Sequence, residues 1–135
     1  MRFVCGEQEI AAWTCEKLGY HIAPPLYVFG VLDDDNELIG GIIFNDWNGF
    51  NLEISIYGPG AMTRASIAFA FHYAFRSAKA IRLTARTKRS NASLKAILPR
   101  LGFVLEGILK NYYGNGRDND AFVYRLDPQA AQKWM

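Results

Sequence analysis

The sequence predicts a single α+β domain, residues 1–135, in which helices flank a central mixed, mostly antiparallel sheet. Three observations carry this prediction. "NLEISIY" (51–57) alternates strictly between apolar and polar residues, the period of a strand. Leu94, Ile97, Leu98 and Leu101 recur at i, i+3, i+4 and i+7, the period of a helix. Apolar hairpins near both ends bracket one strand–helix–strand crossover, so antiparallel and parallel neighbours share one sheet.

The elements follow in order. "EQEIAAWTCEKLG" reads as the first helix, with Ala11, Cys15 and Leu18 on its apolar face, Ile10 and Trp13 widening it, and Gly19 suited to end it. "HIAPP" opposes regular structure as far as Pro25. "LYVFGVL" and "LIGGIIF" flank the acidic turn "DDDNE", which lacks the Gly and distal Glu of a calcium loop. In "NLEISIY", Leu52, Ile54 and Ile56 face a core, while Asn51, Glu53, Ser55 and Tyr57 face solvent or a cleft. "GPG" breaks that strand. "MTRASIAFAFHYAFRSAK" follows as a helix striped by Ile67, Phe71, Phe75 and Ala78, with Phe69 and Tyr73 on a second line. "IRLTARTK" is a strand with Ile81, Leu83 and Ala85 inward and Arg82, Thr84, Arg86 and Lys88 outward. Ser90 or Asn91 caps the next helix and Gly102 suits its left-handed end; Pro99 predicts a bend or an early stop. "FVLEGILKNYY" and "AFVYRL" close the chain as a hairpin around "GNGRDND", and Trp134 docks on the body or on another subunit.

Composition narrows the function. Half of the 135 residues are hydrophobic and 21% are charged, an ordinary globular balance. A net charge of +2 does not announce a nucleic-acid binder. Cys5 and Cys15 form no CxxC or Cys/His cluster, so no metal site is expected, and a disulfide is neither required nor excluded. No signal-peptide pattern and no apolar run long enough to span a bilayer is present, so no membrane partner is expected and the expected address is cytoplasmic, with reduced thiols.

The segment "NASLKAILPRLGFVLEG" (91–107), an Asn, a short helix, Leu-Gly-Phe and then Glu-Gly, resembles the GNAT N-acetyltransferases, which use acetyl-CoA. The likeness is greatest to the branch of ribosomal-protein N-terminal acetyltransferases and to small GNAT proteins of phages and prophages. In the latter, segments like "TRASIAFAFHYAF" and "IRLTART" and a terminal "KW" recur in this order. The chain departs from the family at three places. "GPGAMTRAS" replaces the pyrophosphate pattern [QR]-x-x-G-x-[GA], Leu98 stands where many members carry a Tyr, and Ser93 comes one residue before the usual Ser.

The resemblance implies an acetyl transfer from acetyl-CoA to a primary amine in a ternary complex. Its cofactor-binding residues would be Ile54 and Ile56 on a splayed strand, the turn and helix start Gly60, Ala61, Met62, Thr63, Arg64 and Ala65, and Asn91 with Ser93. An attacking amine must be neutral, and a base assists. Glu53, on the polar face of its strand, is the first candidate; Glu106 and His72 are the others. Ser93 or Tyr112, with Tyr113 behind them, would donate a proton to the leaving thiolate.

Two other functions compete. The missing Tyr and the altered turn favour a catalytically degenerate GNAT-fold protein serving in binding or virion assembly. The cations of "RTKRS" with Arg82 suggest nucleic acid, but aromatic residues are not interleaved among them, so none is expected as a partner. The partner is an amine-bearing acceptor, protein or small molecule. Aromatics of the last hairpin and Trp134 offer either a homodimer contact or the finish of the core.

Overall fold

The computed structural model describes residues 1–5 and 8–135. Glu7, which its sequence places at the start of the first helix, lies outside the described residues. Seven strands form one sheet in the order β1-β2-β3-β4-β5-β7-β6. They are β1 (Arg2–Cys5), β2 (Tyr27–Leu32), β3 (Leu38–Asn45), β4 (Asn51–Tyr57), β5 (Arg82–Lys88), β6 (Val104–Leu109) and β7 (Ala121–Leu126). Among the described residues only β4 and β5 pair in parallel, as the crossover between them requires. No helix among the described residues is long and apolar enough to cross a membrane.

The two faces of the sheet carry different helices. Ile42, Phe44, Leu52, Ile54 and Ile56 pack under α2 (Arg64–His72) and α3 (Ala92–Leu101), on Ile67, Phe71, Leu98 and Leu101. On the opposite face Ile43 packs with Ile10 of α1 (Gln8–Leu18), Ile22 and Val28. The second face also hides the polar side of β4, where Glu53 is 5% and Ser55 9% exposed.

Helix α1 turns differently from its predicted face. Ile10 and Thr14 are its buried residues, whereas Ala11, Cys15 and Leu18 are half-buried. The reason is a close approach: a Cβ at Gly41 would lie 1.9 Å from Thr14 Oγ1. The Thr14 hydroxyl is satisfied within its own helix by donating to Ile10 O at 2.8 Å. Both cysteines are free thiols.

Four further expectations change. β1 was not foreseen. Ile81, expected inward, is 62% exposed, because β5 begins one residue later and the Ile81 N–H is spent on Phe50 O. Pro99 does not end α3, which runs on to Leu101. Its ring costs one hydrogen bond near a terminus, and Gly102 (φ 105°) then closes the helix as expected. Tyr112 and Tyr113 stand in the turn after β6, beyond the strand. The helix after the turn runs through α2 into a π-helical turn, Tyr73–Ser77. Trp134 packs against the main core, under the Arg64 guanidinium at 5.1 Å.

Asp120 holds the β6–β7 turn. It is 1% exposed, and its carboxylate accepts from Asn111 N at 3.0 Å and Arg89 Nη1 at 3.2 Å, with Lys110 Nζ at 3.5 Å. The backbone hydrogen bond first, and these cations after it, hold its carboxyl below the usual range. A lowered folded value gives stability that is present above the unfolded value and lost as pH falls through the folded one. Asp120→Asn is therefore expected to lower the thermal midpoint most near neutrality, with the gap to wild type closing in strong acid. Melts across pH check this; a gap constant with pH would deny the carboxylate its role.

Candidate active site

The site begins where two parallel strands part. β4 pairs with β5 from Asn51↔Arg82 to Ile54↔Ala85 and no further. Beyond that point β3 keeps hold of β4 as far as Tyr57, and β7 keeps hold of β5 as far as Lys88. Ser55, Ile56 and Tyr57 are thus left with no strand on the β5 side, a stretch of main chain open to a ligand.

Three neighbouring hollows lie at the fork. A groove of about 260 Å³ lies against Ile56, Tyr57, Gly58, Pro59, Met62, Asn91 and Ser93. A cleft of about 370 Å³ opens on the α1 face between Tyr20, Asn45, Glu53, Arg86, Tyr112 and Tyr113. An apolar slot of about 10 Å³, space for roughly one water, lies between them. It shares Ile56 and Leu94 with the groove, and Tyr20, Ser55 and Arg86 with the cleft.

The turn leading to α2 is shaped by packing on β3. At Gly58 (φ 96°) a Cβ would meet Ile39 O at 2.4 Å, and at Gly60 it would meet Ile39 Cγ1 at 2.7 Å. Gly60 and Ala61 are buried, and the Ala61 N–H is spent on Gly58 O. These two expected cofactor residues therefore build the turn and do not line the groove. Thr63 caps α2 by accepting from Ser66 N at 3.1 Å. The Ser66 hydroxyl, unforeseen in the sequence, locks the turn from beneath by donating to Gly60 O at 2.5 Å. The Arg64 side chain, expected to meet an anion, instead donates to Lys133 O at 3.1 Å. What remains for an anion at this helix start is main chain: the N–H groups of Arg64 and Ala65 meet no acceptor among the described residues.

Across the groove Asn91 caps α3, its Oδ1 accepting from Leu94 N at 3.1 Å. Ser93 is exposed in the same wall, and Met62 lines the groove without closing it. Phe69 is elsewhere, stacked on Phe3 at 4.7 Å. Leu98, at the position of the family's Tyr, is 2% exposed and lines the slot, so no hydroxyl is present there.

In the cleft, Glu53 Oε2 accepts from Arg86 Nη2 at 2.6 Å, while Oε1 accepts from no group among the described residues. Arg86 also lies 4.7 Å from the ring of Tyr112. Burial raises the Glu53 carboxyl above the ordinary glutamate value, although Arg86 opposes the shift. Tyr20 and Tyr113 stack at 4.6 Å, and burial pushes both phenols up. The cleft thus combines a carboxylate of raised basicity with phenols held protonated.

The other candidates lie apart. Glu106 is clamped by Arg82 at 2.5 Å and Arg125 at 2.9 Å, which hold its carboxyl low, and it lines neither the groove nor the cleft. His72 is exposed beside Phe69 and Tyr73. Ser93 and Tyr112 stand in different hollows, the groove and the cleft. Of the cations of "RTKRS" and Arg82, three are paired within the fold, Arg82 with Glu106, Arg86 with Glu53 and Arg89 with Asp120, while Lys88 Nζ lies 5.9 Å from the Tyr113 ring. Tyr20, Asn45 and Arg86 are site residues the sequence reading missed. A polar Asn closing the apolar run of "LIGGIIFN" was the one local signal.

No family model matches the sequence, and no curated protein matches it significantly. Solved structures do. A chimera of the spermidine N-acetyltransferase SpeG from Vibrio cholerae and hSSAT superimposes with a TM-score of 0.75 at 16% identity, covering 98% of this chain and 99% of that one. The F149A mutant of the Vibrio cholerae enzyme gives 0.75 at 17%, covering 100% and 98%. A ribosomal-protein-S5-alanine acetyltransferase from Vibrio fischeri gives 0.64 at 18%, covering 89% and 67%. The protein shares the fold of these structures, the GNAT fold, with a seven-stranded mixed sheet among the described residues.

Proposed function

We propose that this protein is an N-acetyltransferase that passes an acetyl group from acetyl-CoA to a primary amine, the amine attacking directly in a ternary complex. One observation carries the proposal: at the fork in the sheet a groove and a cleft flank one apolar slot, and the cleft holds a buried carboxylate of raised basicity. The residues fit the cofactor. The unpaired edge of Ser55–Tyr57 suits an amide-bearing arm, the Arg64 and Ala65 N–H groups suit a diphosphate, and Ile56, Met62, Asn91 and Ser93 wall the groove. When bound, acetyl-CoA supplies a thioester whose C–S bond breaks as the C–N bond forms, the thiolate leaving with one proton.

The chain's own residues do the rest. Glu53 takes a proton from the ammonium through Oε1, while Arg86 holds Oε2 and so fixes the carboxylate's direction. This removal is needed, since reference values of about 10.4 for Lys and 7.7–8.0 for an α-amine leave most of either protonated at neutral pH. Tyr112 or Ser93 returns a proton; Tyr20 lines both slot and cleft, whereas Ser93 lines the groove alone. The free thiols of Cys5 and Cys15 suit a reducing, cytoplasmic setting. A thiol-release assay with acetyl-CoA and an amine panel, spermidine and an Ala-initiated peptide among them, tests the activity. Release dependent on amine is expected; none with any amine would remove it. A second reading, a catalytically degenerate GNAT-fold binding protein of phage type, is favoured by the buried Leu98 at the usual Tyr position.

Asn91 separates two duties. Asn91→Ser keeps a capping oxygen and loses the amide, so acetyl-CoA affinity is expected to fall with the thermal midpoint unchanged. Asn91→Ala is expected to lose affinity and also about 1 kcal/mol of stability. Calorimetric titration and melting curves of both variants check this.

A further inference from the structure

Asn45 ends β3 directly opposite Glu53 in the antiparallel register, so the two side chains share the α1 face of the sheet. It is 9% exposed and forms part of the cleft wall. Its Nδ2 donates to Ala23 O at 3.3 Å, which sets the amide's orientation; reversed, Oδ1 would confront that carbonyl. Its Oδ1 is buried with no donor among the described residues. A buried acceptor left unpaired burdens a fold, and native interiors rarely keep one without a reason.

The surroundings state what kind of group would satisfy it. Arg86, the cation lining the cleft, is committed to Glu53 Oε2. Asp46, next in the chain and also in the wall, offers only acceptors. Asn45 Oδ1, Glu53 Oε1 and the Asp46 carboxylate thus place acceptors beside the His21 ring and the hydroxyls of Ser55, Tyr20, Tyr112 and Tyr113, which can donate or accept. A primary amine complements these acceptors, because it brings two N–H groups when neutral and three when charged. An alcohol brings a single O–H.

We propose that Asn45 is the residue that selects and seats the acceptor, its Oδ1 accepting one N–H of the primary amine beside Glu53. The proposal rests on the acetyl-transfer function argued above. Asn45 holds the nitrogen and takes no proton; a second N–H faces Glu53, which removes the proton.

The test compares wild type with Asn45→Leu, which keeps the branched shape in a larger side chain that accepts no hydrogen bond, and Asn45→Ala, which serves if that larger side chain disturbs folding. Spermidine and an Ala-initiated tripeptide are the probes. Three quantities are read: KM for the amine, acetyl-CoA affinity by calorimetry, and the wild-type Asn45 side-chain amide resonances during amine titration. The expected result is a KM at least tenfold higher in both variants, unchanged acetyl-CoA affinity, an unchanged or higher melting midpoint in the Leu variant, and resonances that move on titration. Equal KM values in an active wild type and its variants would overturn the role of Asn45 and leave the acetyltransferase standing. No turnover by wild type would instead sink the acetyltransferase. In that case, amine-dependent movement of the Asn45 resonances still supports an amine-seating residue, and its absence overturns that too.

Discussion

Glu53→Gln is expected to lower turnover by roughly 10²- to 10⁴-fold, the ordinary worth of a positioned general base, with acetyl-CoA affinity unchanged. Gln keeps the shape of the side chain and an oxygen for Arg86, whose Nη2 lies 2.6 Å from Oε2 in the wild type. What it removes is the capacity to take a proton. The loss should therefore fall on kcat and on kcat/KM for the amine together. Stability should change little. Burial raises the folded value of Glu53, so the protonated form suits the fold, and ionisation costs stability as pH rises through that value. Gln never incurs this cost, though it gives up a charged hydrogen bond to Arg86. In the wild type the acid limb of the rate profile should inflect above the ordinary glutamate range, since basicity is lost as Glu53 protonates. Stopped or continuous thiol-release assays across pH check both. A variant with full turnover at every pH would show that Glu53 is not the base.

Phe71→Ala is expected to cost about 3–5 kcal/mol, the usual loss for truncating a buried Phe. Phe71 is 1% exposed on α2, lies 6.1 Å from the Phe103 ring and lines the apolar slot behind the fork. Its removal subtracts apolar burial and leaves a cavity where β4, α2 and α3 meet. Against a typical stability of about 5–15 kcal/mol, the midpoint should drop by roughly 10–20 °C for a chain of this size. Thermal and urea unfolding measure it. A cost under about 1 kcal/mol would mean that the interior closes over the gap, beyond the usual partial relaxation. The same variant widens the slot, so any folded fraction should bind acetyl-CoA at least as readily per molecule.

The elements legible in the sequence were those specified by neighbours along the chain. The acidic turn reads from "DDDNE", and Asp33 Oδ1 indeed accepts the N–H groups of Asp35 and Glu37 at 2.9 Å each. Alternation in "NLEISIY" assigned both faces of β4, and Asn91 and Gly102 marked the two ends of α3. The misses were decided across the fold. β1 is four residues long, mostly exposed, and exists through its pairing with β2. Thr14 is buried because a distant glycine, Gly41, leaves room for it. The shape of the turn after β4 was also set at a distance: Gly60 has no room for a Cβ beside Ile39, and Gly40 has none beside the Ala61 main chain.

The candidate site divides in the same way. Glu53 was legible because strand alternation alone placed it opposite the core. Tyr20, Asn45 and Arg86 were not, because the cleft draws on the segment after α1, the end of β3, β5 and the turn after β6. These converge only once the sheet is formed. Arg86 looked like one cation of a basic cluster; its partner is 33 residues away on the neighbouring strand.

Amide NMR during titration with CoA tests most directly whether the opened sheet receives the cofactor. Resonances of Ser55, Ile56 and Tyr57 on β4, and of Arg64 and Ala65 at the start of α2, should shift together and saturate at micromolar ligand, with slowed exchange along β4. No shift at millimolar CoA, or shifts confined to residues away from the fork, would contradict it.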